Sequence, residues 1–383
     1  MSRAFKPWAG AFLTAAIAVS LAATSIPSSA AAATASPNHR AGVASTPVVV
    51  ATGLHNPRDV TVQYDGSVLV AEAGSGSGTA CASKPDMPVR CFGLTGSIYQ
   101  VKGTKQGRVV TGLPSQELVP PGGRGTVFGL NQVEGLWDGS YRAVYGLIGL
   151  PGTRTELGAG SEPLATLSIV NGKVLGDLAA HEEAHDPDAV LGHTQPASNP
   201  QRFVRDGRDF LVTDAAANDV VRVHPDGTTE TEVVLPTNVL PADSGSASAN
   251  ALPPGEVDAV PSGIVRGCDG AFYISDLSGT QAGLSRIWRY VPGGKPTVFA
   301  SGLTNVIDLA VAPNGDLIAL SYSTGSAGGT LTRIDKRTGA LTPIKTDTPL
   351  ITPTGLDVTR RGDIYVTNKT LSNNGELLKF PAA

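Results

Sequence analysis

Two sets of residues in this chain have types and spacing suited to chemistry. The first is contiguous: His181-Glu182-Glu183-Ala184-His185 reads H-E-x-x-H. On a helix, two histidines four apart would ligate zinc, and the Glu between them would act as general base. The second set is dispersed. Asp59, Glu134, Arg202 and Asp308, with Gly263 and Gly355, open the first strand of six successive sequence repeats. If the repeats are arranged about one axis, three carboxylates and one guanidinium converge at its mouth. Such oxygens would hold a Ca²⁺-like ion or a polar ligand.

Context separates the two. Around the H-E-x-x-H run the spacing predicts a helix only from about Leu178 to Asp186, with Asp177 capping its start and Pro187 discouraging its continuation. A zinc protease carries this motif on a long buried helix. On a short exposed one, the dipole at the C-terminus favours a protonated His185, which binds no metal. His193 lies eight residues further on without the Gly-containing spacer of that enzyme class. No metal is therefore assigned to the motif. For the acids of the second set, the competing role is to cap backbone N–H groups at their own turns. Asn56, Asn199 and Asn305, just before first strands, read as turn-closing residues for the same reason.

The elements that must position these residues are announced by turns. Asp65-Gly66, Asp138-Gly139, Asp206-Gly207, Asp269-Gly270, Asn314-Gly315 and Arg361-Gly362 each separate two short apolar runs. Pro57 to Asp65 and Pro261 to Asp269 have the same spacing, and Pro353 to Arg361 repeats it. The units at Asp138 and Asp206 align with first strands shorter by about two residues. Alternating third strands follow, such as Ser97 to Val101 and Arg286 to Tyr290, and then fourth runs ending in Gly-Leu. Four antiparallel strands make a propeller blade. The last unit ends at Phe380 without a fourth strand, while Val48 to Leu54 is an orphan one. The expected fold is an all-β, six-bladed β-propeller over residues 47–381, its ring closed by the N-terminal strand in the last blade.

Arg3 and Lys6 precede an apolar stretch from Ala9 to Ala23 and then small residues. These features predict a secretory signal peptide over 1–33, followed by a flexible segment over 34–46. Export suits the cysteines, because Cys81 and Cys91 bracket a Gly/Ser-rich insertion that a disulfide would pin. Cys268 is left over and reads as a small buried residue. Without Arg3 and Lys6, the 29 Lys and Arg fall to 27 against 33 Asp and Glu. That balance argues against nucleic acid as a partner, and no later run is apolar enough to span a bilayer. A secreted monomer is expected.

Several ordered motifs resemble one family. They are Gly53-Leu54-His55-Asn56-Pro57-Arg58-Asp59, Tyr145 to Leu150, Asp177 to Glu182, Ser198-Asn199-Pro200, Thr213 to Val223, Ala259 to Gly263 and Gly302 to Leu309. Together they look like the ScyD/ScyE family of exported six-bladed propellers, named from cyanobacterial gene clusters for the pigment scytonemin. This chain departs from the family pattern at His181 and His185. The resemblance implies fold and export but no activity. Two functional classes stand. One is a binding or scaffold propeller for a small molecule or protein partner. The other is a metal-assisted hydrolase or lyase of the lactonase-like kind, with Ca²⁺ held in the central channel by Asp59, Glu134 and Asp308. The chain carries no Gly-x-Ser-x-Gly elbow and no Gly-x-x-x-x-Gly-Lys run.

Overall fold

Gly at each of the six turns adopts a positive φ, between 62° at Gly207 and 93° at Gly362, which few other residues tolerate. The preceding Asp or Asn completes the turn: Oδ1 of Asp65, Asp138, Asp269 and Asn314 each accepts the backbone N–H two residues on. These local bonds return the chain upon itself and generate antiparallel pairs. The computed structural model describes residues 46 to 382 apart from 77, 79, 83–87, 122, 124, 194, 241–254 and 324–327. The expected leader, and all but the last residue of the segment at 34–46, lie outside the described residues.

Six four-stranded antiparallel units follow in chain order. Their innermost strands are Pro57–Val62, Leu130–Gly135, Pro200–Asp206, Pro261–Arg266, Val306–Val311 and Leu356–Val358. The first unit is extended by Ala80–Ala82 and Thr126–Phe128. In the sixth, Val48–Leu54 pairs with Gly375–Phe380, Val48 opposite Lys379 and Leu54 opposite Gly375. The molecule is thus a six-bladed β-propeller closed by its N-terminal strand, as expected. Closure pairs a strand edge that would otherwise be open.

Six hydrophobic clusters lie one to each interface between adjacent blades. Leu69 and Ala71 of blade 1 meet Val133 and Ala143 of blade 2. Val68 and Val70, on the opposite face of the same strand, meet Ala51 and Leu377 of blade 6. Both faces being buried, second strands such as Val68–Glu72 are buried at every position, the pattern of a sheet covered on both sides. The same close packing leaves no room for a side chain at Gly355, where a Cβ would come 2.5 Å from Asp59 Cα in the neighbouring blade.

The disulfide between Cys81 and Cys91 is formed, with S–S 2.05 Å. Two expectations are corrected. Cys268 is exposed, not buried, because it occupies the outer corner of its turn, the place held by Tyr64 and Trp137, 74% and 94% exposed, in other blades. The first strand of blade 2 is not shortened either. It begins at Leu130, eight residues before Asp138 as Pro57 is before Asp65, and merely lacks the proline. Only blade 3 is shorter, and it takes up the difference at its hairpin, where Asp206 pairs with Asp209.

Gly355→Ala forces two inner strands apart and is expected to cost about 3 kcal/mol. Gly152→Ala, where a methyl meets open space, should change stability by less than about 0.5 kcal/mol. Urea denaturation of both variants checks the contrast, and equal small losses would show that the ring yields at the Gly355 contact.

Candidate functional site

Pairing registers shift at the same point near the start of five inner strands, between Pro57 and Asp59, Leu130 and Gln132, Pro200 and Arg202, Pro261 and Ile264, and Val306 and Asp308. A β-bulge there inserts a residue and re-aims its neighbours. Two tiers of side chains result. Asp59, Gln132, Arg202, Gly263, Asp308 and Gly355 stand one layer inside the channel, while Arg58, Asn131, Gln201, Ile307 and Thr354 line its mouth.

In the inner tier Arg202, 4% exposed, reaches across from blade 3. Its Nε lies 3.5 Å from Asp59 Oδ1 and its Nη2 3.3 Å from Asp308 Oδ2. Nη2 also donates to the carbonyls of Arg58 and Thr354 at 3.0 and 2.8 Å, and Nη1 to that of Asn131 at 3.1 Å. One guanidinium therefore contacts blades 1, 2, 5 and 6. Asp308 further accepts the N–H groups of Leu309 and Leu356. Burial pushes the Asp59 carboxyl well above its usual range, with Arg202 pulling the other way and Asp308 and Asp357 adding repulsion. Burial also raises Asp308, again opposed by Arg202.

Of the four residues expected at the mouth, the structure brings together Asp59, Arg202 and Asp308. Glu134 stands apart, paired with Arg142 and 36% exposed in its side chain. Gln132 holds the equivalent place and accepts the Phe203 N–H at 2.6 Å. The displacement is the two residues by which blade 2 exceeds the length assumed for it. Between Asp59 and Asp308, the position a cation would need is taken by the guanidinium.

Above this plug lies a cavity of about 110 Å³. Its walls are largely apolar, from Phe128, Ile148, Leu277 and Ile307. Apart from Arg202 Nε, which faces Asp59 Oδ1, four buried polar atoms on its lining residues have no hydrogen-bond partner among the described residues: Arg58 Nε, Asn199 Oδ1, Asn305 Oδ1 and Tyr322 Oη. Buried polar atoms are rarely left so. Burial lowers the Arg58 guanidinium to about 10 and raises the Tyr322 phenol to about 12, so at neutral pH one is a cation and the other a neutral hydroxyl. Among the described residues the lining includes no carboxylate, imidazole or thiol. Asn305 takes a left-handed φ of 48°, but the side-chain turn closure expected of it is not seen among the described residues, since its Oδ1 is unpartnered. Arg58 and Tyr322 went unnoticed in the sequence. A signal for Arg58 existed, since it immediately precedes Asp59 where the strand bulges.

The helix expected near the H-E-x-x-H run is present as Leu178–His185, with Asp177 accepting the Ala180 N–H. It is not simply exposed, however: Leu178, Ala179, His181 and Glu182 are buried. His181 packs on the outer strand Thr229–Val234 of blade 3, with Nδ1 3.1 Å from Thr229 Oγ1 and Nε2 2.9 Å from Thr231 Oγ1. Both ring nitrogens are engaged, and burial lowers its pKa to about 4. His185 is exposed. One ring nitrogen of His181, one oxygen of Glu182 and one of Asp219 all lie within 4.8 Å of one another. The acids ending second strands, Glu72, Asp214, Asp276 and the matching Asn368, accept backbone N–H groups within their own blades.

No family model and no curated protein matches the chain. Solved structures with a similar frame include a calcium-binding protein, regucalcin, from Agrobacterium tumefaciens, at 12% identity over 89% of this chain and 95% of that one, with a TM-score of 0.48. Streptogramin B lyase aligns at 13% identity over 88% of this chain and 97% of that one, TM-score 0.45. A putative gluconolactonase aligns at 12% identity, 89% and 93%, TM-score 0.45. These are likenesses of the propeller frame, which hosts unrelated activities. Among the described residues, no helix is long and apolar enough to cross a membrane.

Replacing Arg202 with Met leaves two buried carboxylates without their cation, a loss expected at about 3–5 kcal/mol near pH 8. The loss should shrink at pH 5. With the guanidinium gone, Asp59 and Asp308 have folded-state pKa values further above the unfolded value of about 3.9. Stability is then retained in acid and lost as pH rises through the raised values. Denaturation at both pH values tests this, and equal losses would show that the carbonyl hydrogen bonds, not the charge, hold the ring.

Proposed function

We propose that this chain is an exported binding propeller of the ScyD/ScyE kind, which captures a small, partly apolar, anionic molecule at the mouth of its central channel. The observation that carries this reading is the set of four unpartnered buried polar atoms around a cavity with apolar walls. A carboxylate or similar acceptor would lie against Arg58 and Tyr322, while donor groups of the same molecule would satisfy Asn199 and Asn305. At about 110 Å³ the cavity is smaller than an engineered one of about 150 Å³ that accepts benzene, so a small ring would sit partly within it and partly at the channel mouth. Export is supported by the leader-like N-terminus and the disulfide.

The metal-assisted hydrolase or lyase reading needs an ion shared by Asp59, Glu134 and Asp308. Glu134 is paired elsewhere and Arg202 stands between the other two. A cavity lined by amide, phenol and guanidinium groups binds without supplying a general base. Binding is accordingly the reading the geometry supports best.

Benzoate and its neutral isostere benzamide are suitable probes in a thermal-shift titration. Benzoate should stabilise the protein, by about 2.7 kcal/mol at a hundredfold excess over Kd, and benzamide much less. Arg58→Gln should remove the difference. If benzoate and benzamide act alike on the native protein, or Arg58→Gln leaves the benzoate response intact, the assignment of this pocket to an anionic ligand fails.

A further inference from the structure

Beside the Leu178–His185 helix, His193 pairs with Asp188 and Asp258, but among the described residues no cation pairs with Glu182 or Asp219 as Arg202 does with Asp59 and Asp308. Glu182 and Asp219 are both fully buried. Among the described residues, both carboxylate oxygens of each lack a hydrogen-bond partner, and so does Asp186 Oδ1. These residues come from different elements: Glu182 from the crossover helix between blades 2 and 3, Asp186 from its left-handed C-cap, and Asp219 from the start of the strand Asp219–Val223. Asp214 and Asp188 lie close enough to repel Glu182 and Asp219. Asp188, however, is bonded to Asn218, and Asp214 to Ser198 and three backbone N–H groups. Their charges are thus accommodated, whereas those of Glu182 and Asp219 are not.

An uncompensated buried carboxylate is so costly that such groups are found paired or on metals. We infer that Glu182 and Asp219, with Asp186 at the rim, form a divalent-cation site for Ca²⁺. The donors are hard carboxylate oxygens of the kind Ca²⁺ prefers, and water would complete its six to eight ligands. His181 brings the imidazole nitrogen nearest these carboxylates among the described residues, and its ring is already held by Thr229 and Thr231. The site therefore uses the Glu of H-E-x-x-H without the zinc chemistry that the motif suggests, and it lies outside the central channel. A cation there would fasten the crossover helix to blade 3. It would also brace the loop after Asp214, whose Ala215 and Ala216 form part of the channel cavity wall.

The test uses the whole secreted chain, stripped with EDTA and desalted. Titration calorimetry with CaCl₂, MgCl₂ and ZnCl₂ separately should show one Ca²⁺ per chain, and Ca²⁺ should raise Tm by roughly 5 °C. The Glu182→Gln/Asp219→Asn double variant should lose the heat signal. Its Tm should be equal in EDTA and in Ca²⁺, and no lower than that of the stripped native chain, because the uncompensated charge is gone. Neither binding nor a Ca²⁺-dependent Tm in the native chain would overturn the site and indicate that the carboxyls are held as protonated pairs. Binding of Zn²⁺ alone, lost in His181→Gln, would overturn the assignment to Ca²⁺. A Ca²⁺ response that survives in a folded double variant would place the ion elsewhere and overturn it too.

Discussion

A ring of six inner strands brings backbone carbonyls and side chains from distant parts of the chain to one axis, where water is scarce and every polar group needs a partner. Arg202 meets the largest share of that requirement, beside Asn131, Ser262 and Thr354, which donate to the Pro200, Val306 and Pro57 carbonyls. Its planar fork donates to carbonyls of blades 1, 2 and 6 and faces the carboxylates of Asp59 and Asp308. A lysine could not cover the same partners, since an ammonium is a compact point donor and a guanidinium a fixed planar fork. Small residues at Gly263 and Gly355 complete the arrangement by letting neighbouring strands approach within van der Waals limits.

The plug also shapes what lies above it. Because bulges in the inner strands of blades 1, 2, 3 and 5 turn an extra residue toward the mouth, the tier over Arg202 is made of Arg58, Asn131, Gln201 and Ile307 with Thr354 of blade 6, and a cavity forms there instead of an open pore. The plane of carboxylates is thereby sealed beneath the cavity, and the groups that meet a ligand are amides, a phenol and a second guanidinium. Within the plug a guanidinium faces both carboxylates. Beside the crossover helix, among the described residues, no cation faces Glu182 and Asp219, so these two buried acidic clusters have opposite implications.

How much of this was legible follows from the range of the interactions involved. The Asp-Gly and Asn-Gly turns act over two or three residues, and the alternating strands they join act over ten, so blade number and ring closure could be read directly. Register was less secure. Blade 2 lacks the proline that marks other strand starts, and its alignment slipped by two residues, substituting Glu134 for Gln132. That slip kept the side chain on the same face of the strand, because pleating has a period of two, but moved it down the strand to Arg142. Cys268 differs for a related reason: its apolar character predicts burial, whereas its place at a turn corner decides its exposure.

The sequence by itself determined the elements, their count and their order, because turn chemistry and alternation are local and each repeat states them again. It also named Asp59, Arg202 and Asp308 as residues of one tier, since repeats place equivalent positions at equivalent heights. Only the tertiary structure decided what those residues do together. Arg202 and Asp308 are separated by 106 residues, and Arg202 and Asp59 by 143, so nothing local records that a guanidinium fills the space between the carboxylates. The same holds for Glu182 and Asp219, whose lack of partners is a property of their three-dimensional surroundings. Burial, which sets the cost of an unpaired charge, exists only once the blades have closed.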